Sequence, residues 1–189
     1  MATKEREIGS ISAIAAALLA GGYYLASPYL AVKGASEGFA SRNAEQVNKY
    51  IDYPALQSSL KSQLGAIMLE SMRNDPEMAA NPFSGFAAAM ITPIVNTMVD
   101  TYVTPTGMKL VLETAKQDQG GATKDQTTLN LAEKSKEFNE ALKKTSMGYK
   151  NLGNFQLTAK GDDGKQIQIL LDRRGFSDWK INAVVLPKL

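Results

Sequence analysis

The feature that most narrows what this chain can fold into is a run without a charged side chain from Ile8 to Val32. Its most apolar part, residues 8–26, would form a helix about 28 Å long at 1.5 Å per residue, which matches the hydrocarbon thickness of a bilayer. Ile8, Ile11, Ile14, Leu18, Leu19 and Leu25 each favour insertion by roughly 0.5 kcal/mol, while the glycines and serines among them oppose it. The segment is therefore moderately rather than strongly apolar. Tyr23, Tyr24 and Tyr29 crowd its C-terminal end, where a phenol keeps its ring among acyl chains and its hydroxyl among headgroups. The organisation expected is a short tail at 1–7, a transmembrane anchor at 8–26 and a single soluble domain at 27–189.

A cleaved signal peptide and a buried soluble helix are the rival readings. Signal h-regions run about 7 to 15 residues and need small residues before the cut, whereas the best cut here, after Ala26, has bulky Tyr24 two positions earlier. A soluble core helix leaves the terminal tyrosines without a reason. Within the anchor, Gly9, Ala13, Ala17 and Gly21 recur every four residues, a smooth face on which a second anchor or a partner helix could pack closely. Lys4 and Arg6 precede the span, and Lys33 and Arg42 follow it. That gives little positive-inside asymmetry, and the orientation expected is N-terminus inside and domain outside.

Charge and residue absences bound the chemistry. With 21 Lys and Arg against 19 Asp and Glu, there is no dense basic field for phosphate backbones, so nucleic acid is not an expected partner. Cysteine and histidine are both missing. This removes disulfides, thiolate nucleophiles, imidazole bases and the ligands that zinc and copper sites generally use. No cofactor or metal is expected.

Past the anchor, Ser27-Pro28 reads as the close of the span or a kink, with a second helix starting there and running to about Ser41. Asn43 caps a short helix carrying Val47 and Ile51, and Asp52-Tyr53-Pro54 opens a longer one with Leu56, Leu60, Leu64, Ile67 and Met68 on one face. A turn-rich stretch from Arg73 to Pro82 leads to an uncharged segment, Pro82 to Val99, whose apolar face reads as Phe83, Phe86, Met90, Ile94, Met98 and Tyr102. Asn96, the threonines and Pro93 make this a core or cavity-lining helix in preference to a second span. Thr104-Pro105 starts a further helix. Residues 117–146 read as a polar, mobile excursion, with an exposed helix over Leu131–Ser146.

From Tyr149 the apolar period becomes two. Phe155, Leu157 and Ala159 form one strand, Ile167, Ile169 and Leu171 a second, and Trp179, Ile181, Ala183 and Val185 a third. Short turns join them into an antiparallel meander. Helices first and a one-faced sheet last make an α+β domain.

Tyr23-Tyr24-Leu25-Ala26-Ser27-Pro28-Tyr29, then Tyr50-Ile51-Asp52-Tyr53-Pro54-Ala55-Leu56, Ser59-Leu60-Lys61, Val103-Thr104-Pro105-Thr106-Gly107 and a closing Trp179-Lys180-Ile181 together resemble the bacterial family DUF2939. The resemblance implies an N-terminal hydrophobic helix before the domain and a place at the bacterial inner membrane, and it brings no activity or catalytic residue. Helices followed by a meander ending in Trp-Lys-Ile also resemble the nuclear-transport-factor-2-like or cystatin-like architecture, which would wrap a cavity. That is a likeness of fold, and fold does not fix function.

The remaining residues offer little catalysis. Asp162 and Asp163 are adjacent carboxylates beside Gly164, a solvated turn rather than an acid/base pair. Arg173-Arg174 reads as a solvated strand edge with a lipid-facing alternative. Tyr53, Phe86, Tyr102 and Trp179 are candidates to line a cavity, set against ordinary core packing. The function expected is a non-enzymatic, membrane-anchored envelope module that binds the lipid bilayer through its anchor. Its partner would be another membrane or envelope protein, or a second copy through the anchor. A cavity domain for a lipid or small apolar ligand is the alternative, and a carboxylate-dependent hydrolase the third.

Overall fold

The computed structural model describes residues 2–117, 145–161 and 164–187. Six helices come first: α1 (Ala2–Ala40), α2 (Ala44–Asn48), α3 (Tyr53–Asn74), α4 (Pro76–Ala79), α5 (Ser84–Tyr102) and α6 (Pro105–Gln117). Four strands follow: β1 (Thr145–Asn151), β2 (Asn154–Lys160), β3 (Gln166–Arg173) and β4 (Trp179–Val185). They form one antiparallel sheet in the order β1-β2-β3-β4. The architecture is α+β.

The first correction concerns Pro28. It neither ends the apolar helix nor starts a new one, because α1 runs through it unbroken to Ala40. The helix stops where Arg42 takes a left-handed conformation, φ 53°. There the Asn43 N–H reaches the Gly38 carbonyl at 2.8 Å, satisfying a terminal acceptor in the manner usually seen with glycine.

Beyond that turn the caps follow the residues. Asn43 accepts from the Gln46 N–H at 3.1 Å to start α2, and Asp52 accepts from Ala55 at 3.2 Å to start α3, with Pro54 in the first turn. Thr104 accepts from Gly107 at 2.9 Å ahead of α6. A Cβ on Gly107 would lie 2.2 Å from the Tyr102 carbonyl oxygen, so that position demands glycine for space.

The sheet buries one face. Phe155, Leu157, Leu171 and Trp179 meet Ala31 of α1, whose short side chain lets the helix come close. Gly34 and Gly38 let α1 come close to α2 and the residues after it, since a Cβ would collide with Tyr50 at the first and Val47 at the second. A second cluster joins Val47, Ile51, Leu56 and Leu112 to Ile181 and Val184.

Two strand expectations change. A fourth strand, β1, precedes the three read from the sequence; Thr145–Asn151 has no apolar alternation, and Met147 in its middle is exposed. In β4 the pairing jumps from Leu171↔Ile181 to Leu170↔Ala183, so Asn182 is an extra residue. Such a bulge flips the face of everything after it. Ile181 and Val184 therefore pack against the helices, while Ala183 pairs with Leu170 on the opposite face.

The β4 edge is covered by α3 and the residues before it. Ile51 forms a parallel bridge with Ile181, and the Gln63 amide both donates to the Val184 carbonyl and accepts from the Leu186 N–H. Past Gln63, α3 packs on α5 alone: Leu64, Leu69 and Met72 meet Ile91, Val95 and Val99, without a strand residue. The α3–α5 pair thus extends beyond the sheet as a helical hairpin.

Candidate functional site

Two surfaces stand out, and α1 carries the first. From Ala13 to Ala26 every side chain is exposed except that of Tyr24, which is half-buried, and Leu18 and Leu19 are 72% and 77% exposed. From Ser27 onward the same helix turns one side into the domain, with Ser27, Pro28, Ala31 and Ala35 buried. By length and composition, the stretch from Ala13 to Ala40 is apolar enough to cross a membrane and also passes as a signal sequence.

The boundary between the halves is a built junction. A proline inside a helix has no N–H for the carbonyl four residues back, which here is that of Tyr24. That oxygen is not left bare. It accepts from the Ser27 hydroxyl at 2.8 Å and from the Arg173 guanidinium at 3.2 Å. Ser27 Oγ in turn accepts from Trp179 Nε1 at 2.8 Å, so both groups of a buried pair are satisfied. The Tyr149 hydroxyl donates to the next carbonyl, that of Leu25, at 2.9 Å.

Arg173 is the centre of this junction. Its guanidinium lies 3.6 Å from the Tyr24 ring centre and 4.3 Å from that of Trp179, a sandwich favoured by the ring quadrupoles. It also donates to the Leu152 carbonyl at 3.0 Å, the Phe176 carbonyl at 2.6 Å and the Tyr149 hydroxyl at 3.3 Å. Its neighbour Arg174 pairs with Asp52, the cap of α3. Neither arginine is the free solvated edge that the sequence indicated. The signal available in the sequence was Ser-Pro within an apolar helix, which calls for a donor without naming it.

Three of the segments that carry the family resemblance meet here. Ser27 holds Trp179, Lys180 donates to the Lys49 carbonyl, and Ile181 exchanges backbone hydrogen bonds with Tyr50 and Asp52 at 2.7 and 2.9 Å. α1, the start of α3 and the last strand are thereby one unit.

The second surface is the outer side of α5. Phe86, Met90, Ile94, Met98 and Tyr102 are all exposed, Phe86 at 71%, and Phe83 precedes them at 74%. This is the reverse of the face expected to be buried, because the β-branched Ile91, Val95 and Val99 pack on α3 instead. α5 carries no charge before Asp100 and has large apolar residues on two sides, so its periodicity does not choose the buried one.

The four cavity candidates do not converge. Trp179 is 1% exposed within the sheet core. Phe86 and Tyr102 lie on the outer side of α5. Tyr53 is half-buried at the foot of α3, donating its hydroxyl to Asn48, and burial pushes its pKa up to about 12. Of the small anchor face, Ala13, Ala17 and Gly21 are exposed, and the surroundings of Gly9 lie outside the description. Asp162, Asp163 and nearly all of the 117–146 excursion, residues 118–144, lie outside the described residues as well. Among the described residues no three acidic side chains converge to hold a metal ion.

A family model described as a protein of unknown function (DUF2939) matches residues 17–111, half of the chain. The matched region runs from the exposed part of α1, through the α1 side of the junction, into α6, and the four strands lie outside it. No curated protein and no solved structure matches, and the likeness to nuclear-transport-factor-2-like and cystatin-like folds finds no support there.

Proposed function

The chain belongs to the DUF2939 family, whose description assigns no function, and from its geometry we propose a single-pass, membrane-anchored, non-enzymatic module that presents a protein-binding surface. The observation that carries this reading is the pair of exposed apolar surfaces. One surrounds α1 on all sides and one runs along a single side of α5. A helix uncovered all round needs lipid, whereas a one-sided stripe with anchor residues four apart suits a groove or helix on another protein.

The junction supports an anchor that is retained rather than cleaved. A cut after Ala26 would remove the carbonyls of Tyr24 and Leu25 and the ring that stacks on Arg173. It would also place a charged amino terminus on Ser27, which is 2% exposed. Burying an unpaired charge there is costly. The small-residue face at Ala13, Ala17 and Gly21 would let two anchors associate. The same proposal has the domain on the extracytoplasmic side of the inner membrane, with an envelope or membrane protein as partner.

Photo-crosslinking residues placed at Ile94 and Met98 in the full chain in native membranes test the partner surface, with Ser62 on the outside of α3 as the control. Protein adducts are expected from 94 and 98 and none from 62. Adducts to lipid alone, or equal adducts at all three positions, would sink the protein-binding reading.

A further inference from the structure

Phe176 and Leu152 are hard to explain as parts of a soluble domain. Phe176 sits in the turn between β3 and β4, and Leu152 in the turn between β1 and β2, yet they are 57% and 64% exposed. Large apolar side chains at the tips of tight turns gain nothing from water. Both tips are tied to one level of α1. The same Arg173 guanidinium donates to the carbonyls of Leu152, Phe176 and Tyr24, so these three residues lie within one guanidinium's reach of one another. The Phe176 ring, moreover, lies 6.4 Å from that of Tyr23 and 5.2 Å from that of Tyr24.

We infer that Leu152 and Phe176 enter the interfacial layer of the bilayer that α1 crosses, so that the domain stands on the membrane at three points instead of hanging from one. This rests on the reading of α1 as a membrane anchor. Tyr23 and Tyr24 fall at the last turn of the apolar run, where the hydrocarbon gives way to an interface roughly 5 to 8 Å deep on each side. The exposed Phe176 ring adjoins that of Tyr23, itself exposed, and Leu25 next along α1 beyond Tyr24 is exposed as well. An aromatic ring at this depth is favourable, and one held between contacts with Tyr23 and Tyr24 loses little freedom on entering. The occupant is therefore lipid at the headgroup–acyl boundary. Arg173 itself is turned inward to carbonyls and rings, so attraction to acidic headgroups is not what brings the tips down.

The α3–α5 hairpin lies elsewhere. The foot of α3 is beside Arg174 and Ile181, and the helix then climbs 22 residues, about 33 Å, past the far end of β4. Phe83 at its far turn is as exposed as Phe176 and provides an internal contrast.

The chain has no cysteine, so single cysteines can be introduced at Leu18, Leu152, Phe176 and Phe83 in the full-length protein. Each is labelled with an environment-sensitive fluorophore and the protein placed in phosphatidylcholine nanodiscs, with and without lipid carrying a spin label near the headgroup or in the acyl chain. The expected result is strong quenching at 18 by the acyl-chain label, quenching at both 152 and 176 by the headgroup-proximal label, and no quenching at 83. Quenching at 18 with none at 152 and 176 would overturn this inference and leave the anchor intact. No quenching at 18 would overturn the anchor reading and this inference with it. Far-ultraviolet circular dichroism and the melting temperature of each labelled variant identify any that has not folded. Leu152→Cys keeps the backbone carbonyl that Arg173 uses, so it decides the question even if Phe176→Cys loosens its turn.

Discussion

The two longest apolar surfaces of the molecule are alike in composition and differ in their neighbours. Residues 8–26 and Pro82 to Val99 are both uncharged. The first protrudes from the domain and is exposed around its circumference wherever it is described, with Leu18, Leu19 and Ala13 on different sides. The second is buried along Ile91, Val95 and Val99 and exposed along Phe86, Met90 and Ile94. On the proposed reading the first meets an apolar solvent and the second an apolar partner. By length and composition α1 could cross a membrane by itself and α5 only together with α6; what separates them further is that α3 already occupies one side of α5.

The sharpest way to break this contrast is a charge in each. Leu18→Arg should disfavour insertion by roughly 3 kcal/mol, moving the protein out of the membrane pellet while the domain stays folded. If membrane association survives unchanged, the exposed half of α1 is not what holds the protein there. Next in size is Arg173→Ala, which takes the guanidinium from the carbonyls of Leu152 and Phe176, leaves that of Tyr24 with Ser27 alone and removes the contact with two rings; it should lower domain stability by about 2 to 3 kcal/mol. In detergent this would appear as a melting temperature several degrees lower. Arg173→Lys should not restore it, because an ammonium cannot lie flat between Tyr24 and Trp179. Ser27→Ala should cost about 1 to 2 kcal/mol, since Trp179 Nε1 then loses its buried acceptor; a neutral result would mean that the Tyr24 and Trp179 groups find other partners.

Tyr53 gives a smaller, pH-dependent effect on the domain side. Its phenol holds its proton to about 12 when folded, against a reference of 10.0. The folded state therefore binds more protons between these values, so the stabilisation is complete below pH 10 and is lost as pH rises through 12. Wild type should lose stability more steeply across that window than Tyr53→Phe, while lysine titration is common to both. Identical slopes in urea melts would show that burial of the phenol does not differ between the folded and unfolded states. Smallest of all is the stability effect of Ile94→Arg, expected within about 0.5 kcal/mol with membrane sedimentation unchanged. Crosslinking from Met98 should nevertheless disappear. A large loss of stability would place Ile94 in the core after all.

Much of this architecture was legible in the residues because local rules point one way. Asn43 and Asp52-Tyr53-Pro54 announce their helices with a side-chain acceptor and a ring-locked φ, and Phe155-Leu157-Ala159 announces a one-faced strand by strict alternation. The misreadings share another cause. Pro28 is tolerated inside α1 because Ser27 and Arg173 satisfy the carbonyl it frees, and Arg173 is 149 residues from Tyr24. The bulge at Asn182 rests on a hydrogen bond from its amide to Asp172 at 2.7 Å, across a strand pair whose register no single segment encodes. β1 lies at the edge and carries no buried stripe that periodicity could detect. Local capping and patterning are therefore readable, while the donor that repairs a helix or the partner that shifts a register is a long-range fact. The junction belongs to the second kind. Its constituents were visible as Tyr24, Ser27, Pro28, Arg173 and Trp179, but their convergence was not.

On the proposed reading, the apolar half of α1 is retained, crosses the membrane and is locked to the domain through Ser27, Arg173 and Trp179. The most direct test is to wash native membranes with alkaline carbonate, digest the pellet with trypsin and look for the peptide running from Glu7 to Lys33, which spans the junction uncut. This peptide is expected in the washed pellet together with peptides of the domain. Domain peptides released into the wash, or a mature chain beginning at Ser27, would contradict it.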